Sequence, residues 1–131
     1  MEKATSRGIT LTWDPETRLA ILRFEHETQA TGQDARVLVD AFRGWIGTMG
    51  EPFALLGDGD KLSGLDAEYR NIWANFLMEN RDRLYTAFFN MNPIIRIAAD
   101  MFRVGTGLNI KAFGAQEESA RAWLREQGIP A

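Results

Sequence analysis

The chain begins with two segments in which apolar and polar residues alternate. In the segment GITLTW, Ile9, Leu11 and Trp13 fall on one face of an extended chain, the pattern of a half-buried strand. The turn signal DPET follows, and the segment RLAILRFEH, from Arg18, predicts a second strand. The two strands are therefore expected to form a hairpin. Residues 1–7 are polar and predict a flexible N-terminus.

Four later segments carry apolar residues at the spacing of amphipathic helices. They begin near Asp34, after the loop GDGDKLSGLD, at Pro93, and in QEESARAWLREQG. Their apolar stripes consist of Leu38, Ala41, Phe42, Trp45, Ile46 and Met49; Tyr69, Ile72, Trp73, Phe76 and Leu77; Ile94, Ile97, Ala98, Met101 and Phe102; and Ala120, Trp123 and Leu124. Gly50, Gly105 and Gly128 fit the ends of the first, third and fourth helices, where a left-handed residue commonly follows the last turn.

The segments between these helices predict three more strands. PFALLGD is continuously apolar, which is typical of a central strand covered on both faces, and RLYTAFFNMN and NIKAFGA complete the set. The order ββαβαβαβα predicts an α/β fold with a mixed β-sheet of about five strands and four helices. No repeat or long linker divides the chain, so residues 8–131 are expected to form a single domain.

Composition narrows the class of protein. The 131 residues are 45% hydrophobic and 25% charged, which is ordinary for a globular domain. A net charge of −3 gives no basic surface for nucleic acid. There is no cysteine, which suits the cytosol and excludes disulfides and thiolate chemistry. No apolar run approaches the ~18 residues that span a bilayer, so we expect a cytoplasmic protein that is not integral to a membrane.

Candidate chemistry is sparse. His26 is the one histidine, so we expect no metal site and no cofactor. The segment Asp58–Asp60 resembles the start of a calcium loop, but Leu62 and Ser63 occupy positions that need a ligand and a glycine. GDGDKLSG also lacks the residue order of a phosphate-binding loop. Asp58 and Asp60 lie where active sites of α/β proteins gather, yet no base accompanies them, and we expect no enzyme.

Ser63 has two interpretations. Ser63 and Asp66 have the spacing of a capping box at the start of the second helix, and Asp66 could itself be the N-cap. Alternatively, Ser63 is a phosphorylation site, where a phosphate would add about −1.5 to −2 charges at an exposed helix start. The residues alone leave both interpretations open.

The middle of the chain resembles a known family. A strand that ends in an aspartate, followed by a loop with Ser-Gly-Leu that opens an amphipathic helix, resembles the anti-sigma-factor antagonist, or STAS, domain. The second half resembles the STAS-like branch related to the sporulation anti-anti-sigma protein. That resemblance lies in NPIIR (Asn92–Arg96), Phe113 and the closing Ala122, Trp123 and Leu124. It extends from about Gly8 to Gly128, and the predicted element order fits that fold.

The resemblance implies a regulatory function without catalysis. In typical members the serine before Gly-Leu is phosphorylated by an anti-sigma kinase, and Ser63 occupies that position. Lys61 stands where the family has an aspartate, so we expect a bacterial protein-interaction domain without a fully intact phosphoserine switch. Its predicted interaction or regulatory residues are Asp58, Asp60, Ser63, Gly64, Leu65, Asp66 and Tyr69. The expected partner is an unidentified protein, and an exposed edge strand would also permit a homodimer.

Two alternatives remain open at this stage. The STAS-like branch is likened to the CRAL-TRIO lipid-transfer fold, which implies a small apolar ligand or lipid between the helices and the sheet. The 8 phenylalanines, 4 tryptophans and 5 methionines could line such a pocket. An enzyme is the other alternative, and it requires Asp58 and Asp60 to meet a catalytic partner in a deep cleft.

Overall fold

The computed structural model describes residues 1–92 and 107–131. The strands are β1 (Glu2–Ser6), β2 (Ile9–Asp14), β3 (Leu19–Phe24), β4 (Thr28–Ala30), β5 (Phe53–Asp58), β6 (Leu62–Leu65), β7 (Leu84–Phe89) and β8 (Ile110–Ala112). The helices are α1 (Gly32–Ile46), α2 (Ala67–Glu79) and α3 (Glu117–Glu126). The predicted helix that begins at Pro93 and covers residues 94–102 lies outside the described residues.

The main sheet is mixed, as predicted, but residues 1–92 and 107–131 contribute six strands to it where about five were expected. Their order is β1-β2-β3-β5-β7-β8. β1, β2 and β3 pair antiparallel, whereas β3, β5, β7 and β8 pair parallel. The parallel half places the carboxyl ends of β3, β5 and β7 at one edge, where the candidate site lies.

The additional strand is β1, and it corrects the expectation of a flexible N-terminus over residues 1–7. Arg7 and Gly8 form a two-residue turn in which both φ angles are positive, at 47° and 81°, as the tightest hairpin turns require. Ala4 packs against the core, and Ser6 and Arg7 bind the carboxylate of Asp34 on α1. These tertiary contacts hold a segment whose sequence carries almost no apolar signal.

A second, two-stranded sheet was also absent from the prediction. β4 and β6 pair in parallel, with Thr28 opposite Leu62 and Ala30 opposite Leu65. Each strand lies immediately before a helix, so the pair brings the starts of α1 and α2 together. Strands of three and four residues are too short for alternation to be recognised in a sequence.

Two apolar layers enclose the main sheet. α1 and α2 cover one face, and α3 covers the other face at β5 and β7. β5 is buried on both faces, as its apolar run predicts: Phe53 and Leu55 belong to the first layer, while Ala54 and Leu56 belong to the second. Among the helices in the described ranges, none has the length and apolar character needed to cross a membrane.

Candidate functional site

Asp58 ends β5 and ties three neighbouring strands together. Its Oδ2 accepts a hydrogen bond from Nη1 of Arg23 on β3 at 3.0 Å. Its Oδ1 accepts from the side-chain amide of Asn90, just after β7, at 3.1 Å and from the backbone N–H of Asp60 at 2.9 Å. Both oxygens therefore have partners that hold the edge of the sheet together.

The same network continues to α3. Arg23 also reaches Glu117 in the first turn of α3, with 3.3 Å between Nη2 and Oε1, and Arg121 donates to the other oxygen of Glu117 at 2.8 Å. The hydrogen bond from Arg121, and then that from Arg23, hold the pKa of Glu117 below its usual value. The acidic and basic side chains at this edge are thus paired with one another, and no local pattern of residues predicts this pairing.

Ser63 lies within strand β6, so the interpretation in which it caps α2 is wrong, and Asp66, the alternative cap, begins the helix. The side chain of Ser63 is exposed, and its hydroxyl donates to the backbone carbonyl of Thr28 on β4 at 3.0 Å. The N-cap of α2 is Asp66, three positions after Ser63. The small parallel sheet therefore fixes the position of the serine, whereas capping does not.

Two glycines allow the backbone to approach its neighbours here. A Cβ at Gly59 would lie 2.9 Å from the carbonyl oxygen of Asn90 and 2.9 Å from Cα of Met91, so a larger residue would push the two loops apart. A Cβ at Gly64 would collide with the side chain of Gln29 on β4. Because Gln29 is exposed and its terminal amide can move aside, glycine is sterically required at Gly59 more than at Gly64.

Asp66 caps two helices at once. Its Oδ1 accepts from the backbone N–H of Tyr69 in α2 at 2.7 Å, and its Oδ2 accepts from the N–H of Gly32, the first residue of α1, at 3.3 Å. A carboxylate is favourable at both positions because each helix start carries the positive end of a dipole. The sequence predicts Asp66 as a cap of α2, and its contact with the start of α1 arises only in the folded structure.

Tyr69 and Leu65 face inward. Tyr69 is 5% exposed and packs edge-on against Trp73, with 6.4 Å between ring centroids. Burial raises the pKa of its phenol because the phenolate would lose its hydration. Leu65 is half-buried against the same core. Tyr69 was predicted as an interaction residue, but its burial makes it part of the core that supports the surface.

Asp34, whose role was not predicted, is the most buried carboxylate among the described residues. It accepts hydrogen bonds from Ser6 Oγ at 2.7 Å, from Arg7 Nη2 at 2.6 Å and from the N–H of Thr31 at 2.9 Å. The Arg7 guanidinium, followed by the Ser6 hydroxyl and Thr31, holds the pKa of Asp34 far below its usual range despite burial. The spacing of Thr31 and Asp34, a capping box, was the available signal.

The aromatic residues proposed to line an apolar pocket pack against one another. Phe42 on α1 lies 5.7 Å from Trp13, 5.7 Å from Phe53 and 4.9 Å from Phe76, measured between ring centroids. Phe42, Phe53 and Phe76 have no exposed surface. In the described residues, these rings fill the layer between the helices and the sheet and form its core.

A small group of polar side chains is exposed around strand β6, whose backbone is held by pairing with β4. We define the β6 surface as the exposed residues Asp60, Lys61, Ser63 and Glu68. Lys61 adopts a left-handed conformation with φ of 68°, and its carbonyl accepts from the N–H of Thr28 at 2.9 Å. Glu68 forms an ion pair with Arg36 of α1. Within residues 1–92 and 107–131, no group of three His, Asp or Glu side chains is arranged to bind a metal ion.

Comparison with known proteins identifies the fold. No protein-family model matches the chain, and no curated protein sequence matches it. A solved structure is similar: an uncharacterised protein of the DUF3478 family with a SpoIIAA-like fold, from Shewanella loihica PV-4. The two chains are 14% identical, the match covers 95% of this chain and 99% of that one, and the TM-score is 0.71. The predicted STAS-like fold is therefore confirmed: this chain has the SpoIIAA-like arrangement of sheet and helices.

Proposed function

We propose that this protein is a non-enzymatic interaction module that binds a protein partner through the β6 surface. The observation that carries the proposal is that the side chains of this surface are exposed while its backbone is held in place. Asp60, Lys61 and Ser63 are exposed, yet β6 is paired with β4 and followed by a residue that caps two helices. A surface that is already ordered loses little conformational entropy when a partner binds.

The contacts of Asp58 support a role in binding over one in catalysis. Its two oxygens accept from Arg23, Asn90 and the N–H of Asp60, and it therefore shapes the loop that begins the β6 surface. A general base needs a free oxygen within hydrogen-bond reach of a substrate proton. Of the two aspartates, Asp58 and Asp60, it is the exposed Asp60 that is available to contact a partner protein.

The environment of Ser63 favours a contact residue over a phosphoserine switch. Phosphorylation would remove the proton that Ser63 donates to Thr28, and it would add negative charge between Asp60 and Asp66 in the chain. Phosphates that order a segment are usually matched by arginine. We therefore propose that the partner protein contacts the unphosphorylated hydroxyl of Ser63.

Charge reversal at Asp60 is expected to reduce partner recovery at least tenfold, since like-charge contacts at an interface cost several kcal/mol and about 1.4 kcal/mol is tenfold in affinity. The tagged full chain, carrying Asp60→Lys, would be isolated from its own cells and compared with wild type by quantitative mass spectrometry. Asp60 suits this test because it is exposed and its side chain does not cap a helix. Asp66 does not suit it, because its replacement would disturb α1 and α2.

Glu16→Lys is the matched control, because it makes the same charge change in the β2–β3 turn at the opposite end of the sheet. A partner that is recovered with Glu16→Lys and lost with Asp60→Lys supports the proposal. Equal recovery with both variants would contradict it.

Ser63 is expected to be unmodified in cells, because its hydroxyl is engaged with the backbone of β4. Phosphopeptide mass spectrometry of the protein across growth states measures the occupancy directly. Ser119, an exposed serine on α3, provides an internal reference for adventitious phosphorylation. Occupancy at Ser63 well above that at Ser119 would overturn the proposal of an unswitched surface.

A further inference from the structure

The outer edge of β1 presents unpaired backbone groups. The N–H of Glu25, just after β3, donates to the carbonyl of Gly8, so the even-numbered residues of β2 bond to β3 and the odd-numbered ones to β1. Glu2, Ala4 and Ser6, opposite Trp13, Leu11 and Ile9, are therefore bonded to β2. The N–H and C=O groups of Lys3 and Thr5 point away from the sheet, and no strand of the described residues pairs with them.

An apolar stripe on α1 lies beside this edge. Arg36 and Arg43 form ion pairs with Glu68 and Glu79, which places α2 on one flank of α1. The opposite flank carries Asp34, which binds Ser6 and Arg7 and so lies over the end of β1. The apolar residues Val37, Ala41 and Trp45 recur on that flank at every fourth position. Val37 is 38% exposed, and Ala41 and Trp45 are partly exposed.

We propose that this edge binds a second copy of the chain. β1 pairs antiparallel with β1 of the second copy about a twofold axis at Ala4, which joins the two sheets into one of twelve strands. The α1 helices then face each other across the axis through Val37, Ala41 and Trp45. This dimer uses the end of the sheet opposite to β8, and it is independent of the proposed β6 surface.

Charge selects this register over its neighbours. With the axis at Ala4, Lys3 lies opposite Thr5, Glu2 lies opposite Ser6, and the outward groups of Lys3 and Thr5 form hydrogen bonds between the copies. An axis at Lys3 would place Lys3 opposite its own copy. An axis at Thr5 would place Lys3 opposite Arg7. Like charges directly opposite one another destabilise a strand pair. Lysine on an edge strand ordinarily discourages association, but here its side chain lies on the face away from α1.

A single-cysteine series tests the register, because the chain has no cysteine of its own. At the axis, the two Ala4 Cα atoms of a non-hydrogen-bonded pair lie about 4.5 Å apart, within the roughly 4.4–6.8 Å that a disulfide spans. Ala4→Cys is expected to form a disulfide-linked dimer under mild oxidation. Lys3→Cys and Thr5→Cys are the controls, since their Cα atoms would be roughly 8 Å from their copies. Faster cross-linking of either control would overturn the register.

Light scattering with size-exclusion chromatography tests the interface as a whole. The full chain is expected at twice its mass of 14.8 kDa. Val37→Glu should raise the dissociation constant of the dimer about tenfold or more, because it places a charge in the contact between the two α1 helices. Met78→Glu is the matched control, since Met78 is 44% exposed on α2. A single-chain mass for wild type up to millimolar concentration, or a dimer insensitive to Val37→Glu, would overturn the proposal. Circular dichroism confirms that each variant is folded.

Discussion

Replacing Asp34 by alanine is expected to lower the free energy of unfolding by about 2–4 kcal/mol. The carboxylate closes the capping box of α1 with Thr31, and it also accepts from Ser6 and Arg7 of the β1 hairpin. Its removal leaves the partly buried N–H of Thr31 without its acceptor and releases β1 from α1. Arg7 is half exposed and regains water, which keeps the loss below that for a fully buried ion pair.

Urea denaturation of the two proteins measures this difference. Asp40→Ala is the matched control, because Asp40 lies on the same helix with a 77% exposed side chain and an ion pair to Arg43 within its own helix. A change of less than about 0.5 kcal/mol is expected for the control. An Asp34→Ala protein as stable as the control would show that β1 is held by backbone pairing alone.

The contribution of Asp34 should depend on pH in a defined direction. Arg7, Ser6 and Thr31 hold the pKa of Asp34 below its usual range in the folded state. The carboxylate therefore favours folding above its unfolded pKa of about 3.9, and this contribution is lost as the pH falls below that value. The difference between wild type and Asp34→Ala should be constant near neutral pH and shrink below about pH 4. A difference that grew under acid would contradict this assignment.

Replacing Asp66 by alanine is expected to lower the free energy of unfolding by about 1–2 kcal/mol. The loss lies at the upper end for a single N-cap because the N–H groups of Tyr69 and Gly32 lose their acceptor together. The starts of α1 and α2 would then lose the carboxylate that both of them contact. Strand β6, which carries Ser63 and ends just before Asp66, would be held less firmly.

Amide hydrogen exchange distinguishes a double cap from a single one. In Asp66→Ala, exchange should accelerate at Tyr69 and Gly32, whereas the N–H of Asp34, capped by Thr31, should be unaffected. Asp66→Asn is the control, because its one carbonyl oxygen can replace only one of the two acceptors, and a smaller loss is expected. Unchanged exchange at Gly32 would show that Asp66 caps α2 alone.

Several elements were predictable because their residues carry a periodic signal. The alternation of Ile9, Leu11 and Trp13 places β2, the apolar run places β5 at the centre, and the helical stripe places α1. These patterns arise from burial against one or two faces, so they are written in the local sequence. The resemblance at Ser63, Gly64 and Leu65 added the STAS-like fold, which the structural comparison confirms.

The candidate site was predictable only in part. Asp60 and Ser63 are exposed, but Ser63 proved to be a strand residue and Tyr69 a core residue, and the role of these residues in an interaction stays a prediction. Strand β6 exists because the hydrogen-bonding groups of β4 lie beside it, and the two are separated by more than thirty residues. No local pattern encodes such a pairing in segments of three and four residues.

The sequence by itself determined the class of fold, the central strands, and the loop in which the candidate surface lies. It could do so because apolar periodicity and turn residues act within a few positions of the chain. Only the tertiary structure decided that Asp34 holds β1, that Asp66 caps two helices, and that Arg23 binds the carboxylate of Asp58. Each of these contacts joins residues 27 to 35 positions apart, and their strength comes from burial and alignment that only the folded chain provides.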